Sequence, residues 1–214
     1  MRDLNEICQI LDVFKLQNHN PKSELNYHNA YTLLVAIVLS AQSTDKGVNK
    51  ATAKLFAIAD TPQKMLELGI DKLKEHIKTI GLYNNKAKNI IELSKCLVNE
   101  TKGVIPQDRD FLESLPGVGR KTANVLLNVW WNQPTVAVDT HVLRLAKRLE
   151  LSDGNTPLAV ENDLNKLPDE YKLHLNHWLV LFGRYICKAQ KPDCPNCPIS
   201  KFCKSNDKKL NDFS

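Results

Sequence analysis

An all-α fold is what this sequence predicts, and three observations predict it. Apolar residues recur at helical spacing along most of the chain. Helix start and stop residues bracket those stretches. The one good strand pattern, PTVAVDT from Pro134 to Thr140, is short and alone, and a single strand cannot make a sheet.

Taken in order, Leu4, Ile7, Cys8, Leu11 and Phe14 follow i, i+3, i+4 spacing and predict an amphipathic helix. The apolar run LLVAIVL, Leu33–Leu39, falls far short of the roughly 20 residues that cross a bilayer. In TPQKMLELG, Thr61 is a cap, Pro62 the first helical residue and Gly69 the stop. IDKLKEHIKTIG offers Asp71 as a cap and Gly81 as a terminator. Asn84 can cap a long helix through Ile90, Ile91, Leu93 and Leu97 that ends before Gly103. Thr156-Pro157 opens another helix, and EYKLHLNHWLVLFGRYIC forms one more. Cys8 and Cys96 sit on helix stripes and read as small core residues. Low-complexity tracts, long linkers and 20–50-residue repeats are absent.

The 214 residues suit one large domain or two small ones. A net charge of +5 fits a nucleic-acid partner, and fits an ordinary lysine-rich enzyme as well. The opening MRDLNEICQI carries acids and no apolar secretory core, so a cytoplasmic protein is expected. Four of the six cysteines crowd into Cys187–Cys203, which in a reducing compartment points to metal before disulfides.

The richest stretch is LPGVGRKTANV, Leu115–Val125. Leu112 and Leu115 precede the glycines, and the helix after them carries Ala123, Leu126, Leu127 and Trp130 on one face. The glycines, Gly117 and Gly119, permit positive φ and let another chain approach the backbone closely. A helix start offers N–H groups and a positive dipole end, which together suit a phosphate. Lys121 lies in that first turn, on a face with Asn124 and Asn128 and away from the main apolar stripe. The dipole there disfavours an ammonium, and a neutral amine is what a nucleophilic lysine needs. Asp139, read alone, is an N-cap for THVLRLAKRL. The cysteines Cys187, Cys194, Cys197 and Cys203 are spaced C-x6-C-x2-C-x5-C, and both zinc and [4Fe–4S] accept four thiolates. Lys188 and Lys191 make the longest gap basic.

LPGVGRKTANVLLN followed by VAVDTHVLRLAKRL, with this cysteine spacing, resembles the endonuclease III family of helix-hairpin-helix DNA glycosylases. The resemblance runs from about Tyr31 to Cys203. It implies a two-lobed fold, with residues 21–133 carrying the hairpin and 1–20 plus 134–214 carrying a [4Fe–4S] cluster on the four cysteines. It implies a monomer that excises oxidised pyrimidines from duplex DNA and cuts abasic sites by β-elimination. Lys121 is then the Schiff-base nucleophile and Asp139 its partner carboxylate. Gln42 and Leu82 would fill the gap left by a flipped nucleotide, whereas read alone they are a surface amide and a helix-end residue. Gly117, Gly119, Thr122, Lys86, Arg144 and Lys191 complete the expected DNA contacts.

The adenine-glycosylase branch of the superfamily uses a glutamate in the helix before Gln42. LLVAIVLSAQ has none, with Ala36 near that place. One departure from the family is VWWNQPT, where relatives carry a glycine near Asn132. Two other readings remain: a non-catalytic, cluster-stabilised DNA-binding protein, and a monofunctional glycosylase of the same fold, against which Lys121 argues.

Overall fold

A computed structural model describes residues 1–208. Among them are eleven helices and no strand. The chain forms two compact units, one of Ser23–Gln133 and one of Met1–Lys22 with the chain from Pro134 onward.

The middle unit is built around α2 (Ala30–Ser40), in which every residue from Tyr31 to Leu39 is buried. A helix apolar on all sides needs partners all round. They are α3 (Asp45–Ile58), α6 (Tyr83–Thr101) and α8 (Arg120–Trp131), with α4 (Pro62–Leu68) and α5 (Ile70–Ile77) packed on α6 and α7 (Arg109–Ser114) on α8. Asn29 starts α2 through a capping box with Thr32, so the first buried turn leaves its donors satisfied. The buried Tyr31 hydroxyl meets Ser94 Oγ at 2.6 Å, which keeps a polar pair satisfied in an apolar core.

The other unit joins both ends of the chain. Helix α1 (Leu4–Gln17) packs its Ile7, Ile10, Leu11 and Phe14 face with α11 (Asp169–Tyr185), and Phe14 meets the Phe182 ring at 4.9 Å. The Trp178 indole donates to Asn18 O at 2.8 Å, fixing the end of α1. Helices α9 (Thr140–Arg148) and α10 (Pro157–Leu164) complete the unit. Gly183 lets α9 approach α11: a Cβ there would stand 2.9 Å from Arg144 Nη2.

Thr61, Pro62 and Gly69 bracket α4 as the sequence predicts, with Gly69 at φ 79°. Asp71 is different: it lies inside the first turn of α5, whose N-cap is Gly69, and α5 stops at Ile77, before Gly81. Asn84 likewise lies within α6. Its N-cap is Leu82, in a left-handed conformation with no side-chain cap. Trp130 is 38% exposed, outside the core face predicted for it, with its ring edge against Tyr27. The segment Val136–Val138 is buried and forms no strand.

Candidate nucleic-acid interface and active-site residues

Two of the glycines shape the hairpin between α7 and α8. Val118 N–H returns to Leu115 O at 3.0 Å and closes the turn, while Leu115 and Val118 are buried beneath it. Gly117 has φ 79°, and a Cβ on it would stand 2.7 Å from Asn89 Nδ2, so the site needs glycine twice over. Asn89, which the sequence does not single out, is thus the floor of the turn.

Gly119 is a different case. As N-cap of α8 it has φ −101° and ψ 176°, a backbone that any residue adopts. It supplies no side-chain cap, and no atom stands within 4 Å of where a Cβ would be. Helix α8 therefore starts with no side chain covering its positive end. Lys121 is exposed on this open turn, and Thr122 is half-buried beside it. Asn124 and Asn128, predicted to share an outward face with Lys121, are buried instead. Asn128 Nδ2 donates to Gln133 O at 3.1 Å, which turns that face into part of the helix end.

Asp139 is the N-cap of α9. Its Oδ1 accepts from the N–H groups of His141 and Val142, both at 2.9 Å, and its Oδ2 stands 3.4 Å from His141 Nδ1. The cap reading of the residue is correct, and the cap itself uses only Oδ1, with Oδ2 facing the His141 ring.

Gln42 and Leu82 both project from left-handed backbone, at φ 57° and 60°, and both are exposed. For leucine this conformation is unusual and has to be imposed by its surroundings. The two loops meet: a Cβ on Gly81 would lie 3.8 Å from Gln42 O.

Lys86 is not a surface phosphate contact. It is 6% exposed, and its Nζ donates to Ala41 O at 2.6 Å, Leu39 O at 3.0 Å and Ser43 Oγ at 3.3 Å. Burial pushes its pKa down. The signal was present in the sequence, since Lys86 lies on the same helical stripe as Ile90, Leu93 and Leu97. Arg144 is also turned inward. Its Nη2 donates to Gly183 O at 2.9 Å and Cys187 O at 3.2 Å, and burial lowers its pKa. Through Nη2 it ties α9 to the end of α11, and it is partly buried.

The four C-terminal cysteines follow α11. Short turns carry the chain from one to the next: Cys197 N–H bonds Cys194 O at 3.3 Å, Ser200 N–H bonds Cys197 O at 3.1 Å and Cys203 N–H bonds Ser200 O at 3.2 Å. Cys187, Cys194, Cys197 and Cys203 line one pocket, walled by Leu149 and Phe182. Burial pushes the Cys197 thiol up to about 11, and raises Cys187 against the opposing pull of Arg148, whose Nη1 lies 3.5 Å from its Sγ. Among the described residues no set of three or more His, Cys, Asp or Glu side chains converges on a single ion position. Four thiols lining one apolar-walled pocket are a donor set that fits a [4Fe–4S] cluster. Lys191 is exposed in the same loop, at φ 52°.

Thus Gly117, Gly119, Lys121 and Thr122 stand on one hairpin, and Gln42 and Leu82 on two adjoining loops of the same unit. Asp139, Arg144, Lys191 and the cysteines belong to the other unit.

Residues 35–169 match the model of the HhH-GPD superfamily base excision DNA repair proteins, and the chain belongs to that superfamily. Within it the resemblance is close. The chain is 56% identical over 198 residues to Endonuclease III of Rickettsia conorii, covering 92% of this chain and 94% of that one. It is 49% identical over 201 residues to Endonuclease III of Escherichia coli K12, covering 94% and 95%. A solved structure of a trapped covalent intermediate of endonuclease III with DNA matches it with a TM-score of 0.89 at 43% identity, over 95% of this chain and 97% of that one. The endonuclease III family is therefore the one to which the chain belongs.

Proposed function

We propose that the chain is a bifunctional base excision repair enzyme: a DNA glycosylase that removes oxidised pyrimidines from duplex DNA and an AP lyase that then cuts the strand. One observation carries the reading. Helix α8 opens at a glycine that its backbone conformation does not require, with no atom over it and Lys121 exposed in its first turn. An uncapped helix start offers N–H groups and positive potential to a DNA phosphate. A backbone gripped there brings its sugar to the lysine.

The chemistry follows from the residue types. The neutral amine of Lys121 attacks C1′, the glycosidic bond breaks, and the base leaves with a proton. The sugar ring opens to a Schiff base with the lysine. Loss of a C2′ proton then expels the 3′-phosphate, and hydrolysis returns the amine. Asp139 accepts the lysine proton through Oδ2, the oxygen that takes no backbone N–H, and stabilises positive charge on the sugar. The flipped nucleotide leaves a gap, which Gln42 and Leu82 fill, the amide toward the unpaired base and the leucine as an apolar wedge. Gly117 keeps the turn low, while Thr122 and Lys191 add phosphate contacts.

Cys187, Cys194, Cys197 and Cys203 hold a [4Fe–4S] cluster, which when bound contributes folding energy and fixes the loop that bears Lys191. The described residues hold no helix long and apolar enough to cross a membrane. A monomer working on DNA in the cytoplasm is the reading consistent with these features.

The test is borohydride trapping on duplex DNA with one oxidised pyrimidine, beside Lys121→Ala. A covalent adduct that disappears in the variant is expected. Base release with no adduct in the parent protein would move the reading to a monofunctional glycosylase.

A further inference from the structure

Lys86 is the one lysine that unit Ser23–Gln133 buries among its core residues, and its three ammonium protons face three acceptors. All three acceptors, Leu39 O, Ala41 O and Ser43 Oγ, belong to the end of α2 and the loop that follows. That loop bears Gln42. The backbone of Lys86 is committed in the other direction: its N–H donates to Leu82 O at 3.1 Å. One residue therefore clasps the Gln42 loop with its side chain and the Leu82 turn with its main chain. Both residues so held are non-glycines in left-handed backbone, and such backbone persists only where the surroundings over-determine it. A buried ammonium is an expensive fastener, and burial already pulls its pKa down. A methionine of similar length would fill the space, but it would leave the loop carbonyls without donors.

We propose that Lys86 is a positioning residue: its buried ammonium locks the Gln42 loop to the start of α6, so that Gln42 and Leu82 enter the duplex as one preorganised element. The idea rests on the gap-filling reading of those two side chains. A loose pair would have to be ordered during base extrusion, and that ordering cost would appear in the rate of opening the duplex. The bond-breaking steps at C1′ and C2′ do not involve it.

The experiment compares the cluster-loaded parent protein with Lys86→Met, Gln42→Ala and Leu82→Ala. Two abasic-site substrates are used, one with 2-aminopurine opposite the site and one with a single-nucleotide gap opposite, where no partner base has to be displaced. Lys86→Met should slow both the 2-aminopurine fluorescence rise and Schiff-base trapping on the first substrate by about tenfold. Trapping on the gapped substrate should stay within about twofold of the parent. Lys86→Gln, which keeps an amide donor, replaces it if the methionine variant does not fold, and is expected to show a smaller loss of the same kind. Equal losses on both substrates would mean a general structural role and overturn the proposal, as would an unchanged fluorescence rise. If Gln42→Ala and Leu82→Ala show the selective loss and Lys86→Met does not, the lysine's role alone fails. If neither alanine variant shows it, the gap-filling reading fails and takes the proposal with it.

Discussion

The starts of α8 and α9 make a controlled pair. Gly119 sits at φ −101° and ψ 176°, Asp139 at φ −105° and ψ −174°. The backbones are nearly the same, and the side chains could hardly differ more. Asp139 puts a carboxylate over its helix start and takes two N–H groups for itself. Gly119 puts nothing there, and nothing stands near. By the ordinary logic of capping, the second helix is finished and the first is not. Under the proposed function an acceptor from outside completes α8, a phosphate oxygen of the bound DNA. The glycine is there for the space it leaves, not for its conformational freedom, which Gly117 two residues earlier does use.

The strongest way to break the comparison is to separate the two jobs of Asp139. Asp139→Asn keeps an acceptor over the first turn of α9, so thermal unfolding should barely move, while lyase turnover should fall by about 10²–10⁴-fold with the loss of the proton acceptor. Asp139→Ala should lose the same activity and also about 1 kcal/mol of stability, seen as a drop of about 2–4 °C in Tm. Equal activity in the asparagine variant would leave Asp139 a cap and nothing more. A smaller effect of opposite signs is expected from Gly119→Asp, which copies the α9 start onto α8. Stability should rise by about 0.3 kcal/mol, while duplex DNA binding weakens by about tenfold, because the new carboxylate occupies the anion position and repels the phosphate. Titration and melting of the same preparation check both. The smallest effect belongs to Lys191→Ala, which should weaken binding evenly across sequences and reduce the slope of log affinity against log salt by about one.

Much of this contrast was legible in the sequence, and for a definite reason. Gly117, Gly119, Lys121, Asp139 and the cysteine spacing are local features, set by a few neighbouring residues whose types admit few uses. The cap at Thr61 and the stop at Gly69 are local in the same sense. What escaped depends on distant parts of the chain. Asn84 is the better cap by propensity, yet the N-cap of α6 is Leu82, where Lys86 ties the turn to a loop far earlier in the chain. Lys86 and Arg144 read as phosphate partners; the helical stripe of Lys86 points to burial, but the carbonyls that the two residues bond lie far along the chain and show only in the packed structure. Asn89 carries no signal at all until Gly117 is seen resting on it.

The unit built from both chain ends carries a consequence for how the protein is made. Synthesis delivers helix α1 before its partner α11, which follows only after all of Ser23–Gln133 has been added. At ~5–20 residues per second that delay is on the order of ten seconds. For that time Ile7, Ile10, Leu11 and Phe14 form an apolar stripe with nothing to cover it, a natural target for a chaperone at the ribosome exit. The intervening unit is contiguous in sequence and can collapse while the rest is still being translated. The four cysteines follow α11, so the loop they share is made after every helix of its unit.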